Sequence, residues 1–318
     1  MLTLLSENAT IVISGARIAR EIGVSRSTVW RWVEQLRKLG VRVKGQRRTG
    51  YFLEKVADIL TPDLLRKRLK GGLFGKRILH FFKTDSTNRV ALELGYAGEP
   101  EGTIVLAEEQ TAGRGRAGRA WHSERGTGLY LTMLLRPRLS PAQAPLLTML
   151  AGISAQAAIR AQTDLAAELK WPNDLLLDGK KVGGILTEMH AEPNAVRFVI
   201  VGIGINVNQE KFPAELGAMA TSLRNESGRL TYRLELLVRL LMQFESDYNR
   251  FLREGPSFVV ERFQSESSFA RGRRVRVDTG IESYVGTTAG LSPEGLLLVE
   301  RENGSLVTVI AGDVSEVR

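Results

Sequence analysis

The first 53 residues contain a pattern that restricts this part of the chain to few folds. A short amphipathic segment over 14–22 is separated by Gly23-Val24-Ser25 from a second predicted helix, Arg26 to Leu39. Ser25 is suited to cap that helix and Gly40 is suited to end it. Two helices joined by a short glycine turn form a helix-turn-helix, whose second helix enters the major groove of DNA.

Two short strand-like runs, 41–43 and 50–53, follow the helical pair. The turn between them, Lys44-Gly45-Gln46-Arg47-Arg48, is basic, which is typical of a wing that contacts phosphates. The candidate DNA contacts are Ser25, Arg26, Ser27, Trp30, Arg31, Arg47 and Arg48. An ordinary helical pair with a solvated charged face is the alternative interpretation.

Positive charge is concentrated in the same region. Residues 1–70 contain 15 Lys and Arg against 6 Asp and Glu, and this net charge of +9 equals that of the whole chain, 44 against 35. The remaining residues therefore hold 29 charges of each sign. Such asymmetry indicates a module that binds a polyanion, joined to a body that does not. We expect the chain to bind operator DNA as a homodimer, since helix-turn-helix proteins usually recognise paired half-sites.

The composition excludes several classes of protein. Cys is absent, which rules out disulfides, thiolate metal sites and cysteine nucleophiles and suits a reducing cytoplasm. We expect no apolar run near the ~20 residues of a membrane helix and no signal peptide. The sequence thus predicts a cytoplasmic protein without a membrane partner.

From about Lys76 the pattern changes to strands and helices, which predicts an α+β or α/β sheet. Asp178-Gly179, between two apolar runs, is a strong signal of a two-residue hairpin. The predicted strands are 77–82, 104–107, 129–135, one beginning near 169, 181–188 and 198–206. The predicted helices are 89–94, 141–166 and 233–253.

The loop Gly113-Arg114-Gly115-Arg116-Ala117-Gly118-Arg119 places three glycines and three arginines in seven residues. Glycine lets the backbone approach a ligand closely, and arginine offers a planar set of donors that matches carboxylate or phosphate. The loop is therefore predicted to close over an anion. A solvated basic turn is the alternative.

Four motifs together resemble the biotin protein ligase family. They are the glycine-arginine loop, Ser86-Thr87-Asn88, Lys170-Trp171-Pro172-Asn173-Asp174 and Lys181-Val182-Gly183-Gly184-Ile185-Leu186. The DNA-binding module in front is similar to that of the bifunctional members, which are both ligase and biotin operon repressor. The resemblance implies that biotin and ATP, with Mg²⁺, give biotinyl-5'-AMP. It also implies transfer of biotin to a lysine of a biotin carboxyl carrier protein, and biotin-responsive repression of transcription.

The resemblance also implies roles for individual residues, with Lys181, Arg114 and Arg116 as the catalytic group. The biotin-binding residues it implies are Ser86, Thr87, Asn88, Gln110, Arg114, Gly115, Arg116, Lys181, Gly184 and Leu186. The residues it implies for ATP and the adenylate are Arg116, Arg119, Trp121, Lys170, Asn173 and Asn206. No metal site made of protein ligands alone is expected. A helix cap at Ser86-Thr87-Asn88 and a core position for Trp121 are the plain alternatives.

The last 50 or so residues consist of short strands parted by turn residues, near 273–277, 284–289, 296–300 and 306–310. This spacing predicts a small β-barrel, and the family resemblance implies an SH3-like one. We therefore predict an α+β protein with a winged helix-turn-helix at 1–65. A mixed α/β ligase domain resembling class II synthetases is predicted at 66–270, and the SH3-like domain at 271–318.

Two other functions fit parts of the pattern. One is a transcription factor whose ligase-like body senses a metabolite without transferring it. The other is a lipoate ligase of similar architecture. The complete glycine-arginine loop and Lys181 argue against the first, and the winged module together with the loop argues against the second.

Overall fold

The structure is a computed structural model that describes residues 1, 4–5, 8, 11–38, 41–46, 49–53 and 58–317. These residues belong to two compact units, Met1–Lys67 and Arg68–Arg318. Each unit has its own set of buried apolar side chains.

The N-terminal unit contains the predicted helix-turn-helix and hairpin. Its elements are α1 (Gly15–Ile22), α2 (Arg26–Lys38), β1 (Val43–Gln46) and β2 (Gly50–Leu53). The two strands pair antiparallel, with Val43 opposite Leu53. Ile18, Val29 and Val33 are fully buried, so the apolar positions of both helices form the core of this unit. A further helix, α3 (Pro62–Arg68), follows.

The helix ends follow from local chemistry. Ser14 caps α1 by accepting a hydrogen bond from the Arg17 amide, and Gly23 ends it at φ 74°, a conformation that favours glycine. Ser25 Oγ accepts from the Thr28 amide at 3.1 Å, as expected of a cap. The predicted end of the second helix at 39–40 lies outside the described residues.

The C-terminal unit is built on a seven-stranded mixed sheet with the order β3-β4-β5-β9-β8-β7-β6. Only the β3–β4 pair is parallel. The strands are β3 (Ile78–Phe81), β4 (Thr103–Ala107), β5 (Gly128–Leu135), β6 (Glu168–Lys170), β7 (Asp174–Leu177), β8 (Lys180–Glu192) and β9 (Ala195–Asn206).

Two details of this sheet position the site. Asp178 and Gly179 both have positive φ, 48° and 70°, which confirms the two-residue hairpin between β7 and β8. In the long β8–β9 pair, Gly184 lies directly opposite Gly204. This pair of glycines leaves a stretch of backbone without side chains on either strand.

Five α-helices accompany the sheet among the residues that the structure describes. They are α4 (Thr87–Tyr96), α5 (Leu146–Thr163), α6 (Leu223–Ser227), α7 (Arg233–Glu254) and α8 (Pro256–Glu266). Helix α4 packs through Ala91 on the sheet face that carries Phe198 and Ile200. Helix α5 lies on the opposite face, where Thr148 donates to Thr187 at 2.8 Å, and α7 and α8 pack against α5.

The central helix α5 differs from its prediction in two respects. It ends at Thr163, where Asp164 turns left-handed at φ 65°, and a 3₁₀ turn precedes it at Pro141–Gln143. The expectation that the chain has no stretch suited to a membrane is corrected, since 141–163 is long and apolar enough, with a mean hydropathy of 1.3. However, 67% of this apolar stretch is buried within the protein, as expected for a helix in the core of a folded domain.

The C-terminal residues form a separate five-stranded antiparallel sheet with the order β13-β12-β11-β10-β14. Its strands are β10 (Arg271–Asp278), β11 (Ser283–Leu291), β12 (Leu297–Arg301), β13 (Leu306–Val309) and β14 (Asp313–Glu316). The first four strands confirm the predicted β-rich domain, and β14 was not predicted. The Trp171 indole donates to the Gly295 carbonyl at 3.0 Å, which joins this sheet to the central body.

Candidate functional site

A cavity of about 550 Å³ opens on the α4 side of the central sheet. This is the volume of a pocket for one small ligand or cofactor. All fifteen residues that the sequence predicts for ligand binding line it: Ser86, Thr87, Asn88, Gln110, Arg114, Gly115, Arg116, Arg119, Trp121, Lys170, Asn173, Lys181, Gly184, Leu186 and Asn206. Residues far apart in sequence are thus brought into one chamber.

One end of the cavity is polar and uncharged. Thr87 donates from its backbone amide to Gln110 Oε1 at 2.8 Å, and its hydroxyl lies 3.1 Å from the same oxygen. Gln110 Nε2 donates to Ser123 Oγ at 2.9 Å. Ser86 is also the N-cap of α4, so the helix-cap interpretation and a place in the cavity are both satisfied.

Thr87 continues into a buried set of hydrogen bonds behind the cavity wall. Thr132, on β5, lies 2.9 Å from the Thr87 hydroxyl and donates to Asn88 Oδ1 at 2.7 Å. Asn88 Nδ2 donates to Glu188 Oε2 at 2.7 Å and to the Leu186 carbonyl at 3.2 Å. We call this set, which ends at the Arg114–Glu188 ion pair of 3.5 Å, the polar chain. Its members are Ser123, Gln110, Thr87, Thr132, Asn88, Glu188 and Arg114.

In the middle of the cavity, the indole ring of Trp121 lies on a floor formed by Gly184 and Gly204. A Cβ on Gly204 would come within 2.5 Å of the Trp121 indole, and one on Gly184 within 3.3 Å of the same ring. The ring therefore lies directly on the glycine pair. Trp121 Nε1 is buried and has no hydrogen-bond partner among the residues described, so the structure supports a site position rather than the core alternative. Gly183, the neighbour of Gly184 in the same motif, instead backs onto Leu175, 3.0 Å from its ideal Cβ.

The glycine-arginine loop folds back on itself at one side of the cavity. The Gly115 amide donates to the Arg119 carbonyl at 2.6 Å. Ala117 and Gly118 have φ of 53° and 74°, and the left-handed conformation of Ala117 carries a cost that glycine would avoid. The Trp121 amide bonds the Gly113 carbonyl at 2.9 Å, so the loop also sets the position of the ring.

The opposite end of the cavity is cationic. Five positive side chains line the cavity against the single carboxylate of Asp174. Arg116 donates to Asn173 Oδ1 at 3.2 Å, and burial lowers its pKa. Burial also lowers the pKa of the Lys170 ammonium, whose Nζ makes no hydrogen bond or ion pair with any residue the structure describes. The positive side chains are Arg114, Arg116, Arg119, Lys170 and Lys181. An anionic ligand would stabilise the charged forms of Arg116 and Lys170, which burial disfavours.

Lys181 is held in place by its neighbours. Its ammonium lies 2.6 Å from Asp174 Oδ1 and 5.7 Å from the centroid of the Trp121 ring. Asp174 is on β7, and Lys181 follows the Asp178-Gly179 turn, so the hairpin brings the pair together. Lys181 is therefore partly buried and paired with a carboxylate rather than free in solvent. Arg119 reaches in the other direction, to Asp313 of the C-terminal sheet at 2.7 Å.

Sequence reasoning missed one wall of the cavity. The segment after β9 contributes Phe212, Leu216, Ala218, Met219 and Ala220 to the lining. It pairs with the start of β8, where the Lys181 amide donates to the Met219 carbonyl at 2.8 Å. Asn206 anchors the segment, since its amide donates to the Thr221 carbonyl at 3.0 Å. These residues have neither a helical nor a strand period, so only the apolar types near Pro213 could have indicated a covering loop.

The N-terminal unit presents the other predicted surface. The structure places Ser25, Arg26, Ser27, Trp30 and Arg31 on α2 or just before it, all exposed. Trp30 is 57% exposed, which is unusual for a large aromatic side chain and fits a binding surface. The remaining candidates, Arg47 and Arg48, lie outside the described residues.

Sequence models of three families match the chain in order. An HTH domain matches residues 1–52, the biotin/lipoate A/B protein ligase family matches 81–206, and the biotin protein ligase C-terminal domain matches 271–315. Fold, cavity and these matches together define a protein ligase of the biotin/lipoate class that carries a helix-turn-helix domain.

Full-length relatives narrow this class. The chain is 39% identical to the bifunctional ligase/repressor BirA of Bacillus spizizenii, over 96% of its own length and 94% of that protein. The Bacillus subtilis protein of the same name is 38% identical over the same shares. The structure of a biotin protein ligase from Aquifex aeolicus in complex with biotin and ATP is 31% identical. It superposes with a TM-score of 0.65, over 76% of this chain and 99% of that one. The chain belongs to the family of bifunctional biotin protein ligases and repressors.

Proposed function

We propose that this chain makes biotinyl-5'-AMP from biotin and ATP and transfers the biotin to a lysine of a biotin carboxyl carrier protein. The observation that carries the proposal is the division of one cavity into an uncharged polar end, a glycine floor and a cationic end. Biotin has the same sequence of parts: a neutral ureido ring, an apolar body and a carboxylate.

Each part of the substrate finds chemically matched residues. Ser86, Thr87 and Gln110 supply hydroxyl and amide groups for the ureido ring without charge. The floor at Gly184, next to Leu186, leaves room for the apolar body. Arg114, Gly115 and Arg116 belong to the loop that closes over the biotin carboxylate. This carboxylate would lie near Lys181. Asn88 takes part through the polar chain, because both of its amide protons are donated to protein groups.

The first step joins two anions. A carboxylate oxygen of biotin attacks the α-phosphorus of ATP, a P–O bond forms, and the bond to pyrophosphate breaks. Lys181 and Arg116 offset the charge that collects at the α-phosphate, and positioned cations of this kind are a large part of catalysis. Arg119 and Lys170 face the remaining phosphates. Asn206, Asn173 and Trp121 border the nucleotide, and the indole keeps water from the mixed anhydride.

Mg²⁺ is proposed to enter with the triphosphate. The part of the chain that the structure describes holds no group of three or more His, Asp or Glu residues suited to a metal, and the one cavity carboxylate, Asp174, is paired with Lys181. Mg²⁺ commonly binds through one or two carboxylates and substrate phosphates, so Asp174 fits as its protein contact. When bound, the ion supplies charge neutralisation on the phosphates.

The second step needs an acceptor and no further cofactor. The neutral amine of the carrier lysine attacks the biotinyl carbonyl, an amide bond forms, and AMP leaves with the bonding electron pair. The proton lost by the amine passes to solvent. Arg114 and Arg116 remain beside the AMP phosphate as it departs.

The same chain is proposed to repress transcription in response to biotin, as a cytoplasmic homodimer. The exposed face of α2 and the basic wing would contact operator DNA, with Trp30 and Arg31 near the base edges. We assign this role to residues 1–65, ligation to 66–270, and a supporting role in ATP and carrier binding to 271–318. Arg119–Asp313 joins the last of these to the cavity.

Catalysis is tested by incubating the full chain with biotin, ATP, Mg²⁺ and a carrier domain. We expect pyrophosphate release without the carrier, and a carrier heavier by one biotinyl group when it is present, as read by mass spectrometry. Biotin binding without pyrophosphate release would instead identify a metabolite sensor. Adenylation of lipoate in preference to biotin would identify a lipoate ligase.

Repression is tested by mobility shift with DNA fragments from biotin operons, alongside sedimentation velocity. Biotin and ATP together should increase both DNA affinity and the dimer fraction. Equal DNA affinity with and without the two substrates would refute a biotin-responsive repressor.

A further inference from the structure

Glu188 is a charged residue at the edge of the site. It lies on β8 two residues after Leu186, and its side chain is 29% exposed. Oε2 accepts from Asn88 Nδ2 at 2.7 Å, and Oε1 lies 3.5 Å from the Arg114 guanidinium. It is the only carboxylate in the polar chain.

The polar chain has a direction that begins at Glu188. A carboxylate only accepts hydrogen bonds, so the Asn88 group beside it is the NH₂, and Asn88 Oδ1 faces Thr132. The Thr132 hydroxyl has one proton and gives it to Asn88. That proton is then not available to Thr87, although the two hydroxyl oxygens lie 2.9 Å apart.

The Thr87 hydroxyl gives its own proton to Gln110 Oε1 at 3.1 Å, and this amide oxygen only accepts hydrogen bonds. The Thr87 oxygen therefore keeps a lone pair and has no proton left for a ligand in the cavity. The site thus offers an acceptor at this point, and a ligand that brings an N–H meets a partner there. A ligand without one leaves the oxygen unpaired, at a cost in affinity.

We propose that Glu188 is a positioning residue that sets this direction and so makes the cavity select a ligand with an N–H donor, such as a ureido ring. The inference deepens the proposed ligase function and rests on it. Two acceptors hold the two Asn88 amide protons, Glu188 at 2.7 Å and the Leu186 carbonyl at 3.2 Å. Without Glu188 only the longer contact keeps the amide from turning over.

The second contact of Glu188 extends the effect to the glycine-arginine loop. Arg114 is paired with the carboxylate across 3.5 Å, so the group that orients Asn88 also holds one loop arginine near the cavity. The other end of the polar chain, Ser123, lies 3.4 Å from the Trp121 carbonyl. Arg114 and Trp121, at the two ends of the glycine-arginine loop, are thus connected through the residues that would hold the ureido ring.

The test is calorimetric titration of the full chain with biotin, with ATP, and with a biotin analogue methylated on a ureido nitrogen. For Glu188→Ala we expect biotin affinity to fall about tenfold or more, because the Asn88 amide can turn over and the Thr87 oxygen is then no longer kept as an acceptor for the ligand. Glu188→Gln keeps the shape and an acceptor, so its loss should be smaller. ATP affinity should stay within about twofold for both variants. The matched control is Glu192→Gln, since Glu192 lies on the same strand and pairs with Arg197 at 2.8 Å, away from the polar chain.

A merely structural role predicts a different outcome. If Glu188 sets the direction of the polar chain, wild type prefers biotin over the methylated analogue by a larger factor than Glu188→Ala does. Equal preference in the two proteins overturns the inference, as does wild-type biotin affinity in both variants. If Glu188→Ala does not fold, the same comparison is made with Glu188→Gln, for which a smaller loss of biotin affinity and of preference over the analogue is expected. If the wild-type chain binds no biotin, both the proposed function and this inference are wrong. If the wild-type chain binds biotin and the variants bind it equally well, only this inference is wrong.

Discussion

Replacing Gly202 by alanine should disturb both the stability of the C-terminal unit and its recognition of biotin. Gly202 lies on β9, and a Cβ there would be 2.0 Å from Asn88 Oδ1, closer than any real contact. Asn88 is 5% exposed and its partner Thr132 is fully buried, so neither can move into solvent. The added methyl therefore has to displace the Asn88 carboxamide.

The magnitude follows from two losses. Overpacking a filled position costs about 1–3 kcal/mol. Breaking the 2.7 Å bond leaves the buried Thr132 hydroxyl without its acceptor, which costs about 1–3 kcal/mol more. We expect the free energy of unfolding to fall by about 3 kcal/mol, which lowers the Tm of a unit of this size by roughly 6–12 °C. Biotin affinity should fall at least about tenfold.

The assay is thermal unfolding followed by circular dichroism, with calorimetric titration of biotin at a temperature where the variant is folded. Gly217→Ala is the matched control, because its Cβ would meet nothing closer than 3.8 Å and its backbone is not left-handed. That variant should stay within about 1 kcal/mol of wild type. A Gly202→Ala protein with wild-type Tm and biotin affinity would refute the packing of Asn88 against this strand, and with it the polar chain.

Four further outcomes are expected. Lys181→Ala should abolish adenylate formation in a single turnover while the far-ultraviolet spectrum is unchanged, and normal synthesis would refute its role. Burial lowers the pKa of Lys170, so the free protein holds part of this ammonium uncharged at alkaline pH. Phosphate restores the charge, and nucleotide binding should take up protons when calorimetry is repeated in buffers of different ionisation enthalpy. Lys170→Gln should remove that uptake, and its persistence would assign the proton elsewhere. Arg26→Ala or Arg31→Ala should each reduce the slope of log affinity for operator DNA against log salt by about one. A chain lacking residues 1–65 should lose operator binding, and retained affinity would contradict the module assignment.

Local signals in the sequence were sufficient for much of the fold. Ser14 and Gly23 mark the ends of α1 through capping and a left-handed turn, and both act within four residues. Asp178-Gly179 fixes its hairpin for the same reason. By contrast, α6, α8 and β14 were not predicted, because five, eleven and four residues are too short to show a clear period when tertiary packing decides them.

The candidate site divides in a similar way. Most of the predicted cavity residues lie in contiguous motifs, and all of them are in the lining, because a loop or a hairpin keeps neighbouring residues together. Thr132, Ser123 and Glu188 were missed, since each acts through a partner on another strand or loop and none stands out by its neighbours. The wall at 212–220 was missed because its backbone pairs with Lys181 rather than following a period of its own.

The polar chain also bears on how such a pocket can change over generations. Its members come from separate segments, and Asn88 and Glu188 are 100 positions apart in the sequence. Because each hydroxyl or amide fixes the proton of the next, one substitution leaves a neighbour mismatched, and a second change at a distant position is needed to restore the match. We therefore expect these positions to vary together or not at all among relatives. A new ligand preference should then arise through paired substitutions rather than by single steps.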